Sequence, residues 1–95
     1  MTAEDIRTAL PEVCKDAGSA GLLLQSISQA EGLDDAEKAA LYYELGREAW
    51  KSGLKAVAIS AYEHSTAIDP QGPAAPALEM ARNVMDFYHR DLYNP

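Results

Sequence analysis

Cys14, His64 and His89 are the residues of this 95-residue chain whose types suit a nucleophile or an imidazole base. A thiol becomes a useful nucleophile when a base or a positive field holds it as thiolate, and the tetrahedral oxyanion formed by its attack on a carbonyl needs oriented backbone amides. Nothing in the sequence sets Cys14 beside a histidine, and no Gly-rich turn offers such amides. His64 and His89 lie 25 residues apart, with no i, i+4 histidine pair and no nearby cysteine, so the spacing of a zinc site is missing. The acidic pairs Glu44/Glu48 and Asp34/Asp35 read as a solvated helix face and a helix cap rather than as an acid–base couple. These residues predict a protein that is not an enzyme and has no cofactor and no metal. Cys14 is then a small buried thiol, and both histidines are half-exposed surface residues.

The stretch from Ala39 to Gly72 organises the rest. Its spacing predicts a helix over 35–52, with Leu41, Tyr42, Leu45, Ala49 and Trp50 as an apolar stripe at three- and four-residue intervals. Gly53 follows, the residue type suited to the left-handed conformation that closes a helix. A second helix over 55–68 carries Val57, Ala58, Ala61, Tyr62, Ser65 and Ile68 on one face, and Asp69-Pro70 ends it. Gly46 and Ala58 fall mid-helix on the facing stripes, where small residues let two backbones approach and leave a hole for Tyr62.

These residues resemble the tetratricopeptide repeat, whose pattern W-x2-L-G-x2-Y, A-x3-F, P runs over about thirty-four residues. Here it reads Tyr42-x2-Leu45-Gly46-x2-Ala49, then Ala58-x3-Tyr62, then Pro70, across about a third of the chain. Ala49 stands in place of a large aromatic and Ser65 in place of an alanine, two departures expected to loosen packing. The resemblance implies a scaffold that binds a protein or peptide in a concave groove. By alignment it implies Tyr43, Arg47, Trp50 and Lys51 as groove residues, with Leu78, Arg82 and Met85 on a closing helix. Helical spacing agrees, since each trio Tyr43/Arg47/Trp50 and Leu78/Arg82/Met85 shares a face. Arg, Trp and Tyr are the types most enriched at binding hot spots. The other reading of the same residues has Trp50 packed between helices and Arg47 and Lys51 paired with Glu44 and Glu48. The lysine–asparagine clamp that some members use on a terminal carboxylate is not reproduced, because Tyr43 stands where that lysine would be.

Around this repeat the chain reads as further helices. Thr2 with Glu4 and Asp5 looks like a helix start, and Ile6, Leu10 and Val13 give that segment one apolar side. Pro11 either kinks it or begins a second short turn. Gly18 to Gly21 reads as a break, and a helix resumes over 20–30 with Leu23, Leu24 and Ile27 inward and Gly32 closing it. Residues 3–32 thus form a degenerate helical pair. Asp34 with Glu37 predicts the start of the helix that follows. After a loop over 71–75, Pro76 is placed as the first residue of a closing helix over 76–90, with Leu78, Ala81, Val84, Met85 and Tyr88 at helical spacing. The expected architecture is one all-α domain over 1–95, built of antiparallel helix-turn-helix repeats with a C-terminal closing helix.

Charge narrows the partners. The chain holds 8 basic and 15 acidic residues, a net charge of −7, which gives no electrostatic footprint for nucleic acid or an anionic membrane. Residues 1–37 hold 8 acids and 2 bases, whereas residues 38–95 hold 7 acids and 6 bases. The bases Arg47, Lys51 and Arg82 make an acidic or C-terminal peptide with an apolar anchor the first ligand to expect, and a basic partner on the amino-terminal face the alternative. The longest apolar run, Leu22-Leu23-Leu24 after Gly21, is far short of a membrane span of about 20 residues. One cysteine and no secretory signal fit the cytoplasm. The alternative function is self-association into a homodimer, because Met80 and Phe87 lie off the Leu78–Tyr88 stripe and Leu92 and Tyr93 extend that surface.

Overall fold

The turn between residues 51 and 55 sets the geometry of the centre. In the computed structural model, which describes residues 2–93 and the side chains of residues 2–87, Gly53 has φ of +83°. Its amide donates to the Trp50 carbonyl at 3.1 Å, and the Leu54 amide donates to the Ala49 carbonyl at 2.8 Å. That pair of bonds satisfies carbonyls that a helix end would otherwise leave open, and the left-handed step it needs falls to glycine. The chain reverses in three residues, so helices α3 (Asp35–Lys51) and α4 (Lys55–Ile68) pack as an antiparallel hairpin.

Among the described residues there are three further helices: α1 (Ala3–Val13), α2 (Ala17–Gln29) and α5 (Ala74–Tyr93). Among the described residues there is no strand. Helices α1 and α2 pack on the α3 side of the hairpin, and α5 packs on α4. One core runs through all five, from Ile6 and Leu10 of α1 through Ile27, Leu41, Leu45 and Tyr62 to Leu78 and Ala81 of α5.

Two contacts fix the distance between α3 and α4. A Cβ placed on Gly46 would come within 2.5 Å of Tyr62 Cε1 and 2.6 Å of its Cδ1, so the tyrosine ring occupies the space the glycine vacates. Near the other end of the pair, Ser65 Oγ donates to the Ala39 carbonyl at 2.7 Å, and both residues are buried. Ser65 was expected to loosen this packing. It ties the helices instead, because a hydroxyl in a dry interface recovers its hydrogen bond on the facing backbone.

Caps explain most of the boundaries. Thr2 and Asp5 exchange side-chain-to-amide bonds at the start of α1, and Asp34 and Glu37 do the same for α3, as their types and three-residue spacing predict. Helix α2 begins at Ala17, before the glycines read as a break. Asp16 Oδ2 accepts from the Ser19 amide at 2.9 Å and from its hydroxyl at 3.0 Å, and Gly18 falls in the first turn, where amides have no intrahelical partner to lose. The same rule places Pro76 in the first turn of α5, which the alanines at 74 and 75 extend backwards. Pro11 neither ends α1 nor begins a new turn; it lies inside the helix, near its end. The side chains of Tyr88, His89, Leu92 and Tyr93 lie outside the described residues.

The Gly46 contact makes a prediction of sign. Gly→Ala in a helix interior normally stabilises by roughly 0.5–1 kcal/mol. Gly21→Ala in α2, where no atom lies within 4 Å of the new Cβ, should show that gain in urea unfolding. Gly46→Ala should instead destabilise by about 1–3 kcal/mol, because a buried ring must move. A stabilised Gly46→Ala would contradict the contact.

Candidate functional site

Helix α3 packs on α1 and α2 and, along its other side, on α4. Where it runs beside α1 the two helices leave a hollow of about 230 Å³, lined by Arg7, Leu10 and Pro11 from α1 and by Glu44, Arg47, Glu48 and Lys51 from α3. Most of its charges are paired. Arg7 Nε donates to both Glu44 carboxylate oxygens, at 3.0 and 2.9 Å, and Lys51 Nζ lies 3.3 Å from Glu48 Oε2. Such exposed pairs contribute at most about 1 kcal/mol each and fix side-chain position more than stability.

Arg47 is held differently. Its guanidinium carbon lies 5.8 Å from the Tyr43 ring centroid, within the range of a cation–π contact. Tyr43 leans in turn on Tyr62, ring centroids 6.0 Å apart. The row Arg47–Tyr43–Tyr62 therefore runs from the exposed rim into the α3–α4 interface. Tyr43 and Glu44 also border a second hollow of about 310 Å³, closed on its far side by Ser65, Asp69 and Pro73.

Of the residues expected in a groove, the structure gathers Tyr43, Arg47 and Lys51 along α3. Trp50 is half-buried against the core, with Lys55 Nζ 5.8 Å from its ring centroid. On α5, Leu78 is 7% exposed and belongs to the core. Arg82 Nη2 donates to Glu63 Oε2 of α4 at 2.8 Å, and Met85 is half-buried. Leu78 and Arg82 thus face α4 and fasten α5 to it. Arg7, Leu10 and Pro11 were not among the expected residues. Arg7 and Glu44 are 37 positions apart, so no local spacing marks their pairing.

Of the groups with catalytic types, the side chains of Cys14 and His64 are described. Cys14 is buried, and burial, helped by the charge of Glu48, pushes its thiol above the ordinary 9.0, the opposite of an activated thiolate. His64 is exposed; its Nδ1 donates to the Ser60 carbonyl at 2.7 Å, and its ring lies 5.0 Å from that of Tyr42. Among the described residues no three His, Cys, Asp or Glu side chains cluster as metal ligands do, and no helix is long and apolar enough to cross a membrane.

Comparison with known proteins finds no family model, no curated protein and no solved structure that matches the chain.

Two groups are raised above their ordinary values. Cys14 is one. Tyr62 is the other, pushed above 10.0 chiefly by burial. A group whose folded pKa is raised contributes stability that is full below its unfolded pKa and is lost as pH rises through the folded one. Stability should therefore hold from neutral pH to about 9 and then fall. In thermal melts recorded across that range, Cys14→Ala should delay the onset of the fall, and the remaining loss should follow Tyr62. A Cys14→Ala profile that falls from pH 9 as the parent does would contradict a buried, neutral thiol.

Proposed function

We propose that this chain is a protein-interaction scaffold of the tetratricopeptide-like kind, and that it holds an acidic or C-terminal peptide segment along the α1–α3 face. The observation that carries the reading is Arg47 laid over Tyr43 at the rim of the α1–α3 hollow. Among the described residues, Arg7, Lys51 and Arg82 are paired with carboxylates, while Arg47 rests on a ring. Its donors are available to an incoming carboxylate, and a guanidinium stacked on an aromatic face is already oriented for a two-pronged contact. Leu10 and Pro11 on the facing helix supply an apolar floor for an anchor side chain.

The layered shape supports the same reading. The Cα trace measures 50 × 29 × 17 Å, and its thin dimension is under two helix diameters of about 10–12 Å. Helical repeats stacked side by side bury their faces against neighbours and leave long lateral surfaces for partners. Helices α1/α2 and α3/α4 serve as successive pairs, and α5 as the closing helix.

Capture of partners from the native cell, run with the parent and with Arg47→Glu in parallel, tests the proposal. A partner retained by the parent should be lost or weakened by about tenfold in the variant, which corresponds to about 1.4 kcal/mol. Because Arg47 is exposed, its melting temperature should be unchanged. Equal capture by both proteins would overturn the α1–α3 site. Trp50→Ala separates anchoring from packing: its half-burial against the core predicts a stability loss approaching the roughly 3–5 kcal/mol of a truncated core aromatic, with little loss of affinity.

A further inference from the structure

Helix α5 offers a second surface, unlike the first in chemistry. Its inner side meets α4 through Leu78 and Ala81. On its outer side Pro76, Met80, Val84 and Phe87 recur every three or four residues and, with Glu79 and Asn83, line a groove of about 530 Å³. Met80 is 44% and Phe87 68% exposed. Large apolar side chains grouped in this way on a small chain mark an interaction site.

The charge along one edge of this stripe identifies the occupant. At 3.6 residues per turn Glu79 and Asp86, seven positions apart, fall almost in line beside Met80 and Phe87. Among the described side chains of α5 the base is Arg82, and it is already engaged by Glu63 of α4 at 2.8 Å. Over the described length of the groove the edge therefore presents carboxylates, on a chain whose net charge is −7. We propose that the outer face of α5 docks an amphipathic helix from a partner protein, with basic residues running beside its apolar stripe. Such a helix lays its apolar side into the groove through anchors at i, i+4 and i+7, and its bases meet Glu79 and Asp86. A second copy of this chain fits less well. An antiparallel two-fold pair would set both acidic edges on the same side, and each copy would bring the same net negative charge.

The test uses labelled peptides and fluorescence anisotropy with the full chain at low salt. One peptide, of about four helical turns, carries leucines at i, i+4 and i+7 flanked on one side by lysines. A matched peptide carries glutamates in place of the lysines. The lysine peptide should saturate in the micromolar range, and the glutamate peptide should bind at least about tenfold more weakly. Met80→Asp and Phe87→Ser should each weaken the lysine peptide by about tenfold or more while leaving the helical circular dichroism intact. The double reversal Glu79→Lys, Asp86→Lys should reverse the preference between peptides. Arg47→Glu should leave the lysine peptide unaffected, which separates this face from the α1–α3 site. Equal binding of the two peptides would overturn the proposal, as would no saturation by the lysine peptide. A dimer in light scattering that Met80→Asp dissociates would assign the face to a second copy instead.

Discussion

The approach of α3 to α4 at Gly46 and Tyr62 is the constraint on which the rest of the molecule depends. A side chain at position 46 would occupy the space of the tyrosine ring, so the two backbones stand closer than larger residues allow. This closeness lets Ser65 reach the Ala39 carbonyl at 2.7 Å, and it lets Tyr43 rest on Tyr62. Overpacking at such a point shifts elements as units, because a close-packed interior has no slack to absorb a methyl group. Every other described helix packs on this hairpin: α1 lies on α3, α2 on α3 and α4, and α5 on α4.

Two surfaces of different chemistry follow from that arrangement. Between α1 and α3 the charges are mostly matched in pairs, and Arg47 stands out because a ring holds it. On the far side of α5 the surface is apolar with an acidic edge. The Arg7–Glu44 and Arg82–Glu63 pairs each tie a flanking helix to the hairpin. Exposed pairs of this kind add little stability, but they orient the flanking helices on the hairpin. The same residues that look like surface decoration thus decide which charged side chains remain without a carboxylate partner, Arg47 among them.

Much of the fold was legible in the sequence because the relevant signals are local. The left-handed glycine after α3, the Asp34/Glu37 cap and the Asp69-Pro70 stop all act within a few residues, and α4 begins and ends where they place it. The pairing of Gly46 with Tyr62 was legible too, since small and large residues alternate across facing stripes. Glycines 18 and 21 misled: the Asp16 cap outweighs the weak helix preference of Gly18 in the first turn of α2, and Gly21 is carried inside the helix that this cap begins. Ser65 misled for a related reason: its contribution depends on a carbonyl 26 positions away. The candidate site was less legible. Periodicity put Tyr43, Arg47 and Trp50 on one face, yet it cannot say which side of a helix a neighbour covers. Leu78 and Arg82 are taken up by α4, and Arg7, distant in sequence, joins Glu44 instead.

Native-state hydrogen exchange measures most directly whether the α3–α4 hairpin is the element on which the others depend. Amides that exchange only through global unfolding mark the most stable unit, and flanking elements open at lower free energy. The account predicts that the slowest amides lie in the second half of α3 and through the middle of α4, around Gly46 and Tyr62, with α1, α2 and α5 exchanging faster. Protection in α1 or α5 equal to that at the centre of α3 would contradict it.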